Sequence, residues 1–510
     1  MFAVHTHSER HERCCGERSI MGFKKSFREL PLKLPIKLGP ASNGEYNPVP
    51  SSAALRWVER TAMERSACAA ARTGLSRREF LRSSAGAATV LLTLNEVTGC
   101  AGGHYAVPPE AAYDAAAADT ALAGDEFIFD VQTHHVSLDR KWWDDARPTM
   151  ADFLVETPQA KCGSEPYLEC FGQEPYLKEV FLDSDTSLAV LSALWGTPEM
   201  NPILPEEAVR TREYLEKMDG ARRLLIHGVV WGKAQSDGQR AEWMRQLVEE
   251  QRISAFKLYP VWSPDGQGYR MDDPRFGLKI LEQGLRAGLP LFAIHKGLQV
   301  AGAPDAFVSS EDIGPAARAF PGATLLIYHS GYQSEHREGP YDPQGKTGIN
   351  TLIASLEANG VGKLGNVYAE LGSVWREVMR DPEQAAHVIG KLLRHLGEDR
   401  ILWGTDALWY GSPQDQIQAF RSFQISQEFQ ERFGYPPLTP EAKRKIFGLN
   451  AARLYGIDVE DLRRAQRSDA VARARQAYRH APNPTHSIYG PETASELGRL
   501  VRWEGARGSR

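Results

Sequence analysis

Short apolar runs alternate with longer stretches of helical periodicity over most of this chain. Eight of the apolar runs have the composition of strands, and they are Phe127 to His134, Ser187 to Ser192, Leu224 to Val230, Ala255 to Tyr259, Leu289 to His295, Thr324 to His329, Val367 to Leu371 and Ile401 to Asp406. Helical patterns lie between them, as in Pro205 to Met218, Gln239 to Glu250, Gly277 to Ala287, Ile313 to Phe320 and Pro382 to Leu396. This alternation predicts βα units and a parallel sheet.

Polar residues at strand ends favour a closed (β/α)8 barrel over an open doubly wound sheet. Because side chains alternate along a strand, Asp130, Gln132 and His134 share one face of the first run, and its apolar residues face the helices. A barrel active site needs polar side chains that face the axis near the carboxyl ends of the strands. We therefore predict a TIM barrel whose mouth contains His134.

Three more runs end in a side chain suited to metal binding or proton transfer, namely His295, His329 and Asp406. One such residue is usually structural, but four of them on strands one, five, six and eight predict a single site. Imidazole and carboxylate ligands suit Zn²⁺, Mn²⁺ or Fe²⁺, which can generate hydroxide near neutral pH. Asp406 either binds the ion or accepts a proton from the attacking water, while His329 polarises the substrate or stabilises its charge.

Other polar residues near these runs have alternative interpretations. Lys257 offers an ammonium group to a substrate carboxylate or to a neighbouring Asp. Glu370 is either an inward-facing hydrogen-bond partner or second acid, or part of a rim salt bridge. His135 lies on the opposite face of the first strand unless the strand ends there, and we assign it to the substrate rather than to the metal. His227 is predicted to be a core histidine.

The motifs at these positions resemble the amidohydrolase-related branch of the amidohydrolase superfamily. The motifs are Asp130 to His135, His295-Lys296-Gly297, His329-Ser330-Gly331, Gly404-Thr405-Asp406 and the closing segment Gly448 to Gly456. The resemblance spans about residues 126 to 458 and implies a (β/α)8 barrel. Family members include metal-dependent hydrolases, lactonases and non-oxidative decarboxylases of small carboxylated or aromatic compounds.

One departure from the family pattern concerns the metal. Gln132 stands where the family usually has the first of two histidines on strand one. One divalent ion, with zinc favoured over manganese or iron, would then be held by His134, His295 and Asp406 with Gln132 as a weak neutral ligand. Alternatively, water replaces the missing ligand, or the enzyme works without metal. Lys257 occupies the position of the carbamylated lysine of binuclear members, although substrate binding is the favoured interpretation.

The resemblance leaves three functions open. The first is hydrolysis of a small amide, lactone or related C–N or C–O bond by an activated water. The second is non-oxidative decarboxylation of a small aromatic or unsaturated acid. The third is a barrel that binds a ligand without turnover, which the presence of Gln132 suggests.

The N-terminal region resembles an export signal. The sequence Ser76 to Arg82 contains twin arginines and precedes the apolar run Ala85 to Leu94, as in a bacterial Tat signal. The run is too short to span a bilayer. Val97 to Cys100 resembles a lipobox, with an ordinary signal end as the alternative. We predict export by the Tat translocase to the periplasm, with membrane anchoring if Cys100 is lipidated.

These features divide the chain into five predicted parts: a poorly ordered leader at 1–75 that includes an unstructured stretch from Leu30 to Pro50, a signal segment at 76–100, a flexible linker at 101–125, the barrel at 126–460 and an extension at 461–510. Met21 and Met63 are alternative starts. The extension packs on the barrel base or mediates oligomers. An insertion within 137–185 that includes Trp142 and Trp143 is predicted to cover the barrel mouth.

Composition narrows the choice of partner. The chain has 42% hydrophobic and 25% charged residues, as in soluble globular proteins. Its net charge of −5 and the lack of a basic block argue against nucleic acid and favour a small neutral or acidic substrate. None of the six cysteines has zinc-finger spacing, and Cys162 and Cys170 form either a disulfide or two free thiols.

Overall fold

Eight parallel strands form the centre of the molecule. The computed structural model describes residues 32–97, 103–138, 167–219, 221–263, 268–298 and 303–497. The strands are β1 (Phe129–Thr133), β2 (Leu188–Ser192), β3 (Leu224–Val229), β4 (Ala255–Leu258), β5 (Leu291–His295), β6 (Thr324–Tyr328), β7 (Val367–Glu370) and β8 (Ile401–Leu402). Every predicted strand is present.

Helices precede, connect and follow the strands. In the described residues they are α1 (Ala53–Thr73), α2 (Arg77–Leu81), α3 (Ser84–Asn95), α4 (Ala115–Leu122), α5 (Gln173–Leu177), α6 (Pro205–Asp219), α7 (Asp237–Glu249), α8 (Gly277–Arg286), α9 (Asp305–Val308), α10 (Ile313–Ala319), α11 (Ile349–Ala358), α12 (Val374–Val378), α13 (Pro382–His395), α14 (Gln414–Ser422), α15 (Gln427–Phe433), α16 (Pro440–Arg444), α17 (Asn450–Leu454), α18 (Val459–Gln466) and α19 (Ala470–Arg479). The five predicted helical stretches correspond to α6, α7, α8, α10 and α13.

The sheet closes on itself as a barrel. Its strands pair in chain order from β1 to β8. Closure between β8 and β1 uses a parallel bridge from Thr133 to Ala407, and the Val131 amide donates to the Trp403 carbonyl at 3.0 Å. The predicted TIM barrel is therefore confirmed, and all strand carboxyl ends meet at one rim.

A β-bulge in β1 changes which of its side chains face the axis. Asp130 pairs with Ala189 and Thr133 pairs with Leu191, so three residue-to-residue steps along β1 are matched by only two along β2. Phe129 and Val131 pack inside the barrel, in a cluster with Leu188, Val190, Leu326 and Tyr328. Asp130 pairs with Ala189, whose side chain belongs to the core between the sheet and the helices. The prediction that β1 directs its apolar side chains to the helices and Asp130 to the axis is thus wrong. The extra residue turns His134 back into the barrel.

The described part of the N-terminal region packs against the barrel. Ile36, Leu38 and Tyr46 are buried although residues 32–50 form neither helix nor strand. Helix α3 is buried along nearly its whole length, including Leu91 and Leu94. This arrangement differs from the predicted poorly ordered leader at 1–75, because part of 32–50 bonds to the barrel domain and Ala53–Thr73 forms α1. The apolar run that resembles a signal lies beyond that leader, in α3, and packs mainly against α1 and α4. The described residues after 102 also pack, with Tyr105 and Leu122 buried, rather than forming a flexible linker.

Only some of the predicted features of the cysteines, the insertion and the C-terminal extension lie within the described residues. Cys170 is buried and disulfide-bonded, while Cys162, Cys100, Trp142 and Trp143 lie outside the described residues. The C-terminal extension contacts the barrel through a buried ion pair of 2.6 Å between Asp469 and Arg223, the residue before β3. In the part of the chain that the structure describes, no helix has the length and apolarity needed to cross a membrane.

Candidate active site

The four predicted site residues meet at the carboxyl-terminal rim of the barrel. His134 follows β1, His295 ends β5, His329 follows β6 and Asp406 lies beyond β8. His134 Nε2 is 3.0 Å from Asp406 Oδ1, and the ring centroids of His295 and His329 are 4.8 Å apart. All four side chains are buried. The barrel thus assembles three imidazoles and one carboxylate, as predicted from the strand ends.

A backbone carbonyl orients each of the three imidazole rings. His134 Nδ1 donates to Ser192 at 2.8 Å, His295 Nε2 to Leu298 at 3.1 Å and His329 Nδ1 to Gly372 at 2.8 Å. The second nitrogen of each ring then faces the centre of the site. Among the described residues, His295 Nδ1 and His329 Nε2 have no hydrogen-bond partner there. Carbonyls that fix the outer nitrogen of a histidine are typical of metal ligands.

The backbone around the site adopts conformations that L-residues rarely occupy. The φ angles of His329, Ser330, Ser373 and Asp406 are 64°, 53°, 58° and 58°. Such conformations cost on the order of 1–3 kcal/mol each and concentrate at functional sites. Glu370 holds this backbone, because its carboxylate accepts hydrogen bonds from the amides of His329 and Gly372 at 3.1 and 2.6 Å. Glu370 is therefore an inward-facing hydrogen-bond partner, and burial raises its pKa well above the usual range.

The Asp406 carboxylate is surrounded by donors. His134 and Gln132 lie 3.0 and 3.1 Å from Oδ1, while Ser373 and Asn43 donate to Oδ2 at 2.5 and 2.8 Å. Burial alone would raise the pKa of Asp406. The hydrogen bonds from His134 and Ser373 outweigh burial, and the pKa lies well below its usual range. Asp406 is an ionised carboxylate at neutral pH.

Gln132 contributes differently from a histidine at the same position. Its amide nitrogen donates to Asp406, and Oε1 has no hydrogen-bond partner among the described residues. The side chain thus positions Asp406 through its nitrogen, and Oε1 lies beside the backbone of Gly372. Its predicted role as a weak metal ligand stays a prediction.

Two residues of the site come from a segment in which the sequence predicts no functional residue. We call residues 34–50 the N-terminal strap. It brings Asn43 onto Asp406 and places Glu45 beside two histidines, with Oε1 at 3.5 Å from His295 Nδ1 and Oε2 at 3.8 Å from His329 Nε2. The only local signal is the spacing of Ile36, Leu38 and Tyr46, the apolar residues that attach the strap to the core.

Lys257 lies inside the barrel next to this cluster. Its Nζ is 3.8 Å from the ring centroid of Tyr328 and 4.5 Å from that of Tyr259, and it has no hydrogen-bond partner among the described residues. Burial lowers the pKa of Lys257 to about 8, although the charges of Glu45 and Asp406 oppose the shift. The ammonium group is thus present at neutral pH, and its predicted contact with a substrate carboxylate remains a prediction.

Two further histidines are separate from the cluster. His135 hydrogen-bonds Thr211 Oγ1 at 2.9 Å and lines another cavity of about 790 Å³ together with Glu207 and Tyr489. It therefore does not join the other predicted site residues. His227 bonds the hydroxyls of Tyr455 and Tyr328, each at 2.8 Å, and is a core histidine as predicted.

The donor set suits a divalent metal ion. Among the described residues, Glu45, His295 and His329 form a group whose ligand atoms all lie within 4.8 Å of one another. Two neutral imidazole nitrogens and one carboxylate are ligands that Zn²⁺, Mn²⁺ and Fe²⁺ accept. Two buried nitrogens without hydrogen-bond partners are costly unless a ligand satisfies them. The residues present therefore fit a metal ion, in a group that shares His295 with the predicted ligands. Metal binding by His134 and Asp406 stays a prediction.

Comparison with known proteins supports the family resemblance. Residues 204–457, which include β3 to β8, match the amidohydrolase family model. This match supports the resemblance to the amidohydrolase superfamily and indicates an enzyme of hydrolase or lyase type. No curated protein matches the chain.

The chain also matches solved structures of proteins that are named for different activities. One is 5-carboxyvanillate decarboxylase from Sphingomonas paucimobilis, with 13% identity and a TM-score of 0.39 over 66% of this chain and 100% of that one. Another is amidohydrolase 2 from Bifidobacterium longum subsp. infantis, with 16% identity and a TM-score of 0.36 over 66% and 100%. A third is a manganese-bound dihydroxybenzoic acid decarboxylase from Polaromonas sp. JS666, with 12% identity and a TM-score of 0.38 over 65% and 97%. At such TM-scores, none of these similarities bears on the reaction.

Proposed function

We propose that this chain is a metal-dependent hydrolase that cleaves a small amide, lactone or related C–N or C–O bond. The observation that carries the proposal is the orientation of three strand-end histidines. Each donates one nitrogen to a backbone carbonyl and directs the other toward a buried centre that also contains ionised Asp406. When bound, a divalent ion would supply Lewis-acid activation of water.

The protonation state of Asp406 favours hydrolysis over decarboxylation. A hydrolase needs a base that accepts the proton of the attacking water. A decarboxylase needs an acid that protonates the carbon from which CO₂ leaves. Because Asp406 is ionised, it can accept a proton from the attacking water, whereas it holds no proton to donate to carbon. His134, 3.0 Å from Asp406 Oδ1, is placed to share the accepted proton.

Decarboxylation of a small aromatic or unsaturated acid is the second candidate, because Lys257 can bind the carboxylate that such a substrate carries. A buried ammonium group beside Tyr328 and Tyr259 combines a cation for a carboxylate with aromatic surfaces. The same group would also recognise the carboxylate of a hydrolase substrate. Lys257 therefore favours a carboxylated substrate in both reactions.

The test is a panel of lactones, amides and aromatic acids incubated with the purified full-length protein in ¹⁸O-labelled water. We expect hydrolysis of at least one class, with one solvent oxygen in the carboxylate product. Release of CO₂ without incorporation of solvent oxygen into the organic product would replace the hydrolase by the decarboxylase. Binding of panel members without turnover of any would contradict both reactions and favour a ligand-binding barrel.

A further inference from the structure

The N-terminal strap is fastened to the rim of the barrel at several points. Lys37 forms a buried ion pair of 2.8 Å with Asp415 and donates to the Ser412 carbonyl at 2.7 Å. Arg376 donates to the Gly39 carbonyl at 2.8 Å, and the hydroxyls of Tyr46 and Tyr410 are 3.0 Å apart. The part of the strap between these anchors is therefore held at a defined position over the site.

A tight turn within the strap directs Glu45 into the barrel. Gly44 has a φ of 93°, and the Ser42 hydroxyl donates to the Tyr46 carbonyl at 2.5 Å. The Asn43 side-chain nitrogen donates to Glu45 Oε2 at 2.5 Å and to Asp406 Oδ2 at 2.8 Å. Asn43 thus fixes the Glu45 carboxylate relative to the Asp406 carboxylate.

The distances from Glu45 to the two histidines are too long for hydrogen bonds and suit a shared ion. They measure 3.5 Å to His295 Nδ1 and 3.8 Å to His329 Nε2. Hydrogen bonds between nitrogen and oxygen are usually 2.7–3.2 Å long. Two ligands of a tetrahedral ion with bonds near 2.1 Å are separated by roughly 3.4 Å. The two distances are to different oxygens of the carboxylate, and one ligand atom from each of the three residues lies within 4.8 Å of the others, close enough to share one ion.

We propose that Glu45 is a metal ligand supplied by the N-terminal strap, together with His295 and His329. The inference deepens the proposed function and rests on its requirement for a divalent ion. An anionic ligand from the strap compensates for Gln132, which can offer only a neutral oxygen. The metal site is in this way completed by a segment far from the barrel strands in sequence.

The test compares the metal affinity of full-length Glu45→Gln with that of the unchanged protein. Zn²⁺ dissociation constants are measured by competition with a chelator, and Co²⁺ is used as a spectroscopic probe of coordination. Replacing a metal ligand should weaken Zn²⁺ binding at least about 100-fold, because losing even an outer-shell partner costs 10–100-fold. The Co²⁺ absorption bands should change as well. Glu64→Gln, at an exposed position of α1, should match the unchanged protein in both measurements.

The outcomes separate this inference from the proposed function. Unchanged Zn²⁺ affinity and Co²⁺ bands in Glu45→Gln would overturn the role of Glu45 while leaving a metal-dependent hydrolase intact. Failure of the unchanged protein to bind Zn²⁺ or Co²⁺ would overturn both. If Glu45→Gln does not fold, Glu45→Asp retains the charge on a shorter side chain, and we expect weaker Zn²⁺ binding and altered Co²⁺ bands. Unchanged values in Glu45→Asp would then overturn the proposal.

Discussion

At the residue scale, Asp406 combines four close donors with an unusual backbone conformation. Replacing Asp406 with Asn removes the base but retains a residue type that tolerates positive φ. We predict that kcat falls about 10²–10⁴-fold, the usual contribution of general acid–base catalysis. Steady-state kinetics on the substrate found in the panel measures the effect. Asp461→Asn, on α18, should behave like the unchanged enzyme, and undiminished kcat in Asp406→Asn would contradict the assignment.

Lys257 leads to a prediction about pH. Its pKa is lowered to about 8 by burial, so the side chain is cationic below this pH and neutral above it. KM for a carboxylated substrate should therefore be constant below pH 8 and rise by about tenfold per pH unit above it. Lys257→Met should raise KM at neutral pH and abolish its rise above pH 8. A KM that does not change between pH 7 and 10 in the unchanged enzyme would contradict substrate binding by Lys257.

The sequence predicts some site residues and misses others for physical reasons. His295, His329 and Asp406 are predictable because each follows an apolar run whose carboxyl end must lie at the rim. His134 is also predicted, but regular alternation along β1 is not what places it. The bulge in β1 turns its side chain into the barrel. Asn43 and Glu45 are missed because their partners are far along the chain: Asn43 and Asp406 are separated by 363 positions. No local periodicity encodes such a contact.

At the element scale, the turn of the N-terminal strap depends on Gly44. Its φ of 93° is unfavourable for other residues, while a Cβ placed there would meet no atom within 4 Å. Gly44→Ala should therefore destabilise the protein through the backbone alone, by about 1–2 kcal/mol. Urea unfolding measures the change. Gly322→Ala, where a Cβ also has open space and φ is not positive, is the control. Equal stabilities of the two variants would show that the strap does not require this turn.

Strand positions are predicted well, but the end of β8 is not. The predicted run extends to Asp406, whereas β8 ends at Leu402. Beyond it, Gly404 lies so close to the Glu370 carboxylate that a Cβ would be 1.6 Å from Oε1, and Asp406 has a φ of 58°. These contacts between β7 and β8 bend the chain out of the sheet and direct Asp406 into the site. They depend on tertiary packing that a single apolar run does not reveal.

At the scale of the whole molecule, the N-terminal helices and the barrel share one core. Leu91 on α3 is fully buried in it. Leu91→Ala should lower the free energy of unfolding by about 2–5 kcal/mol, as expected for a cavity in a packed core. Leu364→Ala, at a side chain that is 94% exposed, should have little effect. An unchanged midpoint of chemical unfolding in Leu91→Ala would indicate that α3 is a removable leader.

Export by the Tat pathway stays a prediction. Removal of a signal after export would change the structure described above. The twin arginines Arg77 and Arg78 are exposed on α2, but the apolar run that follows them is buried in α3. Cleavage before Cys100 would remove the strap and α3 together. The proposed role of Glu45 therefore requires an active protein that retains its N-terminal region.

Above all, we propose that this barrel binds a divalent ion through its strand-end histidines. The most direct test is elemental analysis of the purified full-length protein and of His295→Ala, combined with the turnover of each. We predict about one divalent ion per chain in the unchanged protein. In His295→Ala we predict a substoichiometric amount and loss of turnover. Full turnover by the unchanged protein without bound metal, or undiminished metal in His295→Ala, would contradict the account.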